Sequence, residues 1–458
     1  MERLRGLDTA FLYLETPTNH MHVAWAAVLD TREAADAADR RPLAELIGSR
    51  LHSLPALRKR LANASLGYTQ PDWINVDVDP ADHITVHDVG DLEEVASRVL
   101  MTRLDRHRPL WELHVVRGLA EGRRGIIFKV HHALLDGPSG AELMVQLLDM
   151  EPKPEVRART EPLAGDPEPS SADLRGVARK RAARGAARAA AGLRQAADVG
   201  AAISRWDLVH PEVVTKLPLR APRTPFNRPV TARRTVRAVG VPLDVIDDFR
   251  RGTGSTVNDA VLAVTGGAIR RYLQHHQALP TAPLVAMVPT SLRSGEDATG
   301  GNQLSALFTT LGTHIADPAA RLAEVTRVTN AVKRRHDHTG LGSLVELTDL
   351  VPPRAAQGLA RLAERLRLTA WAPLAFNVVV SNVPGPDVPF YCNGAIVESA
   401  FPMGPVTDWS ALNVTVVSYR RRLTFGVVAC PDIVPDSDVL MDHLAAEIDA
   451  LQLAGVGS

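Results

Sequence analysis

A chain of 458 residues is too long for one small module and, at roughly 100 to 200 residues per domain, suggests two. With 45% hydrophobic and 23% charged residues it has the apolar content for packed cores, which excludes disorder or a collagen-like repeat as a description of the whole. The 52 basic residues balance the 52 acidic ones, so no global field attracts nucleic acid, and a charged partner must be met locally.

Cys392 and Cys430 can form at most one disulfide and cannot build a cysteine-rich zinc site, so they read as reduced, buried thiols of a cytoplasmic protein. Residues 1–15 contain a short apolar run, 10–14, with Asp8 before it and Glu15 after it, too short and too acidic for a signal peptide. No window reaches the roughly 18 apolar residues of a spanning helix, so membrane contact is expected to be peripheral.

In chain order, strand-like runs fall at 22–29, 113–116 and 125–131, helical spacing at 42–54 and 92–102, and a further helical start at 138–148. Residues 151–170 are rich in proline and acids, 171–206 in alanine and arginine, and 217–229 in proline again. This reads as a crossover of about 70 residues between two compact regions, giving domains at 1–150 and 230–458 with a linker at 151–229. The second region repeats the theme, with strands at 235–241, 284–288, 377–381, 412–418 and 424–429 and helices at 243–251, 257–275, 318–335 and 436–451. The expectation is α/β throughout. Residues 419–422 between two alternating runs read as a hairpin turn, so the second sheet is expected to be mixed.

The sharpest chemical feature is Lys129-Val130-His131-His132-Ala133-Leu134-Leu135-Asp136-Gly137. An apolar strand runs into two adjacent histidines, and a short turn with Asp136 and Gly137 follows, before Pro138 opens a helix. Strand side chains alternate, so His131 and His132 face opposite ways: one is structural and the other is presented. A neutral imidazole suits proton abstraction from an alcohol or thiol. Asp136 fixes the turn through an ion pair or orients the ring, and Gly137 lets a ligand approach the backbone. No Gly-x-Ser-x-Gly elbow and no cysteine beside a histidine offers a nucleophile, and the glycine and proline argue against a metal held by His132 and Asp136.

These residues resemble the HHxxxDG signature of the wax ester synthase/diacylglycerol acyltransferase family, a branch of the CoA-dependent acyltransferases. Leu104-Asp105-Arg106-His107-Arg108-Pro109-Leu110-Trp111-Glu112 resembles the family's PLW segment, Thr256-Val257-Asn258-Asp259-Ala260-Val261-Leu262 its ND segment, and Ser381-Asn382-Val383-Pro384-Gly385-Pro386 its late turn. The opening Leu7-Asp8-Thr9-Ala10-Phe11-Leu12-Tyr13-Leu14-Glu15 and His20-Met21-His22-Val23 are similar to its start.

The resemblance implies two chloramphenicol-acetyltransferase-like α/β domains with mixed sheets and a tunnel at their interface. In it His132 is the general base, His131 its supporting neighbour, and Asp136 a structural aspartate paired with an arginine, for which Arg293 is the candidate. Asn258 is either a helix cap or an oxyanion donor. Trp111, Asp259 and Glu15 are carried over on the substrate side, Trp111 being a core anchor or a ligand wall. The implied reaction passes an acyl group from acyl-CoA, a co-substrate, to diacylglycerol or a long-chain alcohol, giving triacylglycerol or wax ester with no acyl-enzyme, no further cofactor and no metal. The alternatives are a condensation-type acyltransferase with a carrier-protein donor and a non-catalytic lipid-binding protein on the same fold.

The basic stretch Arg175, Arg179, Lys180, Arg181, Arg184 and Arg188 matches none of these motifs. It reads as a solvated linker helix or as an electrostatic contact with an anionic membrane or lipid-inclusion surface.

Overall fold

The computed structural model describes residues 2–4, 6–62, 71–134, 140–153, 163–170, 172–173, 176, 221–291, 304–339 and 374–456. Asp136, Gly137, Arg293 and all six basic residues of that stretch lie outside the described residues.

Two six-stranded mixed sheets dominate. The first is centred on β2 (His22–Asp30) and β7 (Arg123–His131), antiparallel over their full length from His22 opposite His131 to Asp30 opposite Arg123. Beyond β7 lie β6 (Trp111–Leu119), antiparallel to it, and β5 (Ile84–His87), parallel to β6. On the other side of β2 lies a strand the sequence reading assigned to no element, β13 (Ala395–Met403), with the short β12 (Tyr391–Cys392) at the edge. The division at residue 230 is therefore corrected in one respect: residues 391–403 belong to the first sheet. β2 is buried on both faces and needs a hydrogen-bonded neighbour on both sides, and no local pattern reveals that this neighbour comes from the far end of the chain.

The second sheet runs β10 (Leu304–Thr310), β9 (Val285–Ser291), β11 (Val378–Val383), β14 (Leu412–Tyr419), β15 (Arg422–Ala429) and β8 (Thr235–Pro242). β11 is parallel to both neighbours, while β14 and β15 form the expected hairpin. Arg420 and Arg421 at its tip have φ of 48° and 57°, the left-handed pair that a two-residue turn needs to follow strand twist. A third, small sheet joins β1 (Glu2–Arg3), β4 (Asp72–Asn75) and β3 (Lys59–Leu61).

Helices cover the sheets. α1 (Gly6–Leu14), α2 (Arg40–Arg50), α3 (Leu92–Leu100) and α4 (Gly140–Leu147) belong to the first half. α5 (Leu243–Arg250), α6 (Val257–His275), α7 (Pro318–Thr339) and α8 (Ser437–Val456) belong to the second. A fully buried ion pair, Arg321 with Glu447, joins α7 to α8. No helix among the described residues is long and apolar enough to cross a membrane.

The halves meet through an apolar cluster in which Ile127, Val116 and Val95 of the first half pack with Val236 and Val428 of the second. The free edge of β8 is covered by α3: the Val236 and Ala238 amides donate to Ser97 Oγ and Glu93 Oε1 at 2.9 and 3.0 Å. A second tie lies close to His20. Asn19 and Asp408 exchange two hydrogen bonds of 3.0 Å, and Asp408 also accepts from the Val230 amide at 2.9 Å.

Candidate active site

The apolar run of β7 ends between two strands that hold its last residues by the backbone. His131 donates its amide to Leu110 O at 2.9 Å, and His132 donates to Met21 O at 2.8 Å. Beyond this clamp one turn of 3-10 helix, His132–Leu134, replaces the strand, and the two rings meet different partners, Ala133 and Glu15 for His131 and Phe11 for His132.

The His131 ring is 1% exposed. Its Nδ1 accepts from the Ala133 amide at 3.1 Å, which fixes the proton of the neutral ring on Nε2. That nitrogen lies 3.3 Å from Glu15 Oε2, so the turn after the strand sets the tautomer that points a donor at a buried carboxylate. Glu15 in turn accepts from Arg106 Nη2 at 2.7 Å, and the same nitrogen donates to Leu12 O at 2.8 Å. Burial would raise the Glu15 carboxyl. The hydrogen bond from His131 and the charge and hydrogen bond of Arg106 overcome it and hold the group at about 2. His131 is itself pushed down by burial, which the Glu15 contact only partly offsets.

The His132 ring is half-buried and lies on the Phe11 ring of α1, centroids 3.9 Å apart and planes 24° apart. Burial drives its pKa down to about 4; a contact with its own backbone opposes the shift and neighbouring His131 adds to it. At neutral pH the imidazole is therefore an uncharged base. Its Nδ1 is enclosed without a hydrogen-bond partner among the described residues.

His22 and His20 extend the cluster. His22 stands opposite His131 in the β2–β7 register, rings 5.7 Å apart, and burial, followed by the charge of Lys129, pushes it well below the ordinary value. His20 lies between Leu100 O and Pro17 O at 3.0 and 2.9 Å. On the same face as His131, the fully buried Lys129 ammonium donates to Thr102 O at 2.7 Å and to Glu112 Oε2 at 3.2 Å.

Trp111 has no exposed surface. Its Nε1 donates to Leu57 O at 2.9 Å and its ring stacks on His83 at 4.2 Å, so it is a core anchor and not a wall facing a ligand. It serves the site through the strand it fixes, since Leu110 beside it holds His131. Asn258 and Asp259 open α6, with Thr256 as N-cap. Asp259 is fully buried and accepts from the Thr256 amide and hydroxyl at 2.9 and 2.7 Å, closing a reciprocal capping box. The Asn258 side chain is half-buried and no hydrogen bond holds it among the described residues. No hydrogen bond, ion pair or ring contact among those residues joins Asn258 or Asp259 to His132. The late turn is anchored by Gly385, whose amide donates to Ser418 Oγ at 3.0 Å and whose missing Cβ leaves room for the Ser418 carbonyl.

Folding thus brings together Glu15, His131 and His132 of the expected set. Sequence spacing did not disclose the parts played by Arg106, Phe11 and His22. The stretches that contain them stood out, but nothing in a linear pattern links Glu15 to a histidine 116 positions on or assigns an arginine to hold it.

The wax ester synthase/diacylglycerol acyltransferase catalytic domain matches residues 4–261, and the C-terminal domain of the same family matches residues 300–452. A Mycobacterium bovis protein whose name proposes a diacylglycerol O-acyltransferase activity is 34% identical over 470 residues, covering 99% of each chain. The wax ester synthase/diacylglycerol acyltransferase of Marinobacter aquaeolei VT8 superposes with a TM-score of 0.68 at 26% identity, covering 99% of this chain and 100% of that one. The trichothecene 15-O-acetyltransferase of Fusarium sporotrichioides shares the fold at 11% identity, with a TM-score of 0.58 over 98% of this chain and 94% of that one. The fold is accordingly the chloramphenicol-acetyltransferase-like one of condensation domains and acetyltransferases, with two mixed sheets. On both of its parts, the chain belongs to the wax ester synthase/diacylglycerol acyltransferase family.

Proposed function

We propose that the protein is an acyl-CoA-dependent O-acyltransferase in which His132 is the general base and diacylglycerol or a long-chain alcohol is the acceptor. The observation that carries this reading is the state of His132: a neutral imidazole shielded on Phe11, beside a second histidine whose Nε2 faces the Glu15 carboxylate at 3.3 Å. Two adjacent histidines thereby differ in function. His131 has Nδ1 bonded to the Ala133 amide and Nε2 turned to the Glu15 carboxylate 3.3 Å away, whereas His132 has no polar side chain of the described residues against it.

In this reading the acceptor hydroxyl gives its proton to His132 as its oxygen attacks the thioester carbonyl. A tetrahedral oxyanion forms and collapses with expulsion of the CoA thiolate, which recovers the proton from the imidazolium. No acyl-enzyme is needed, because both substrates meet at one ring and proximity supplies much of the acceleration. The Asn258 amide, unpartnered among the described residues and in the half opposite His132, is the donor assigned to the oxyanion. Asp136 and Gly137 keep the loop-shaping role that the resemblance implies.

The family name covers both acceptors, and the name of the Mycobacterium bovis relative supports diacylglycerol. The test is to incubate the purified protein with labelled palmitoyl-CoA and, separately, dioleoylglycerol, hexadecanol and a phosphopantetheinylated carrier protein. Labelled triacylglycerol or wax ester with stoichiometric CoA release is the expected result. Product only with the carrier protein, or none with any acceptor, overturns the reading.

A further inference from the structure

A second polar cluster lies in the other half of the molecule and has no part in the proposed transfer. α6 ends at His275, and His276 is its C-cap at φ −89°, ψ 10°, followed by Gln277 at φ 51°. Consecutive side chains in a regular helix diverge by about 100°. The break at the cap instead leaves the two imidazoles neighbours, with ring centroids 5.0 Å apart. Asp436, which immediately precedes α8, reaches the same place: its Oδ2 is 2.9 Å from His276 Nε2, and its Oδ1 accepts from Tyr272 Oη at 2.6 Å. One ligand atom from each of His275, His276 and Asp436 lies within 4.8 Å of the others. From α8, the His443 ring comes within 6.3 Å of His275, and its Nε2 is enclosed without a hydrogen-bond partner among the described residues.

A His276–Asp436 ion pair alone uses one imidazole and leaves the approach of two more unexplained. We propose that His275, His276 and Asp436 form a binding site for a divalent ion of the zinc class, with His443 as the adjoining fourth donor. Two or three imidazoles and one carboxylate suit zinc, whereas magnesium and calcium demand mostly oxygen. Bonds of about 2.0 to 2.1 Å place neighbouring ligand atoms of a tetrahedral zinc about 3.3 Å apart. The 2.9 Å pair then opens by a few tenths of an ångström, and the exposed His275 side chain turns inward. Tyr272 would orient the carboxylate, the usual task of a group bonded to a ligand. The carbonyl end of α6 also favours positive charge. Such an ion staples the end of α6 to the start of α8, supporting the fold and leaving the transfer chemistry to the other half. Spacing hid the site because Tyr272 and Asp436 are 164 positions apart.

The test titrates chelator-stripped protein with zinc and with cobalt(II), read by equilibrium dialysis with elemental analysis, by cobalt visible absorption and by melting temperature. Expected are one zinc per chain, a tetrahedral cobalt spectrum and a melting temperature that rises with zinc but not with magnesium. Tyr272→Phe should weaken uptake by roughly 10- to 100-fold, and His275→Ala or Asp436→Asn by more. His275 is exposed, so the stripped His275→Ala protein should melt with the stripped parent; His276→Gln is the second variant if Asp436→Asn does not fold. Acyl transfer by stripped and loaded protein should be equal, so an inactive protein does not decide the question. No uptake of micromolar zinc by the parent, or uptake unchanged in His275→Ala and His276→Gln, overturns the proposal.

Discussion

The ends of β7 and of the loop before α6 are both places where a regular element meets a proposed catalytic side chain, and they are built differently. At the first, His131 and His132 are held by the Leu110 and Met21 backbones, by Glu15 and Arg106, and by the Phe11 ring, all distant in sequence. At the second, the order comes from a capping box closed within four residues, Thr256 to Asp259. The tertiary clamp shields part of an imidazole from water and lowers its pKa. The local cap fixes a helix terminus and leaves the Asn258 side chain without a hydrogen bond among the described residues. A base needs a tuned pKa, which only a three-dimensional surround provides; an oxyanion donor needs only position.

Substitutions separate the two. The largest effect is expected for His132→Ala, which should lower turnover by roughly 100- to 10,000-fold with the fold intact, judged by circular dichroism and melting. Near-normal turnover would remove His132 from the chemistry. Asn258→Ala should cost roughly 100- to 1,000-fold in kcat if its amide meets the oxyanion, with little change in substrate affinity. A change in KM alone would make Asn258 a binding residue.

Glu15→Gln tests the tertiary clamp. It leaves Arg106 without its counter-charge and replaces a charged acceptor for His131, so denaturant unfolding should show a loss of about 1 to 3 kcal/mol. Turnover should fall as well, because the strand end loses its register. Unchanged stability and turnover would return Glu15 to a passive place in the core. The local cap should matter least: Thr256→Ala should cost about 1 kcal/mol and spare the acid–base chemistry.

Stability should also respond to acid in a defined window. The folded state holds His132 at about 4, with His22, His20 and His131 likewise lowered by burial, while an unfolded chain protonates its histidines from the ordinary 6.5. The unfolded state therefore binds more protons between these values, and stability falls as pH drops from about 6.5 towards 4. Glu15 adds a second loss between 4.5 and about 2, where its buried pair is protonated. Melting temperatures at pH 8, 6 and 5 should decline in that order.

Much of the scaffold was legible in the sequence because it is written in local pattern. Alternation marked β7 and β14, helical spacing marked α6 over 257–275, and residues 419–422 marked a hairpin, whereas the cap fell on Thr256 and not on Asn258. β13 was not legible: Ala395–Met403 pairs with β2 across most of the chain, and its bulge between Val397 and Ser399 interrupts the alternation that would have marked it. At the site, His131 and His132 could be told apart in principle by strand alternation, but which ring is presented depends on Glu15 and Phe11. Trp111 shows the converse. Its neighbourhood was recognisable, while its burial against Leu57 and His83 is a fact of packing.

The central claim is that His132 is a desolvated base that stays neutral far below the ordinary histidine range. The direct measurement is the pH dependence of kcat/KM for palmitoyl-CoA with the preferred acceptor, which reports the essential base of the free enzyme. Each point should be taken after confirming that the protein recovers full activity on return to pH 7.5. The account predicts a plateau from pH 8 to about 5 and an acid limb near 4. An acid limb centred near 6.5, with the protein still folded, would contradict it, because it would show an ordinary solvated imidazole at the point of proton transfer.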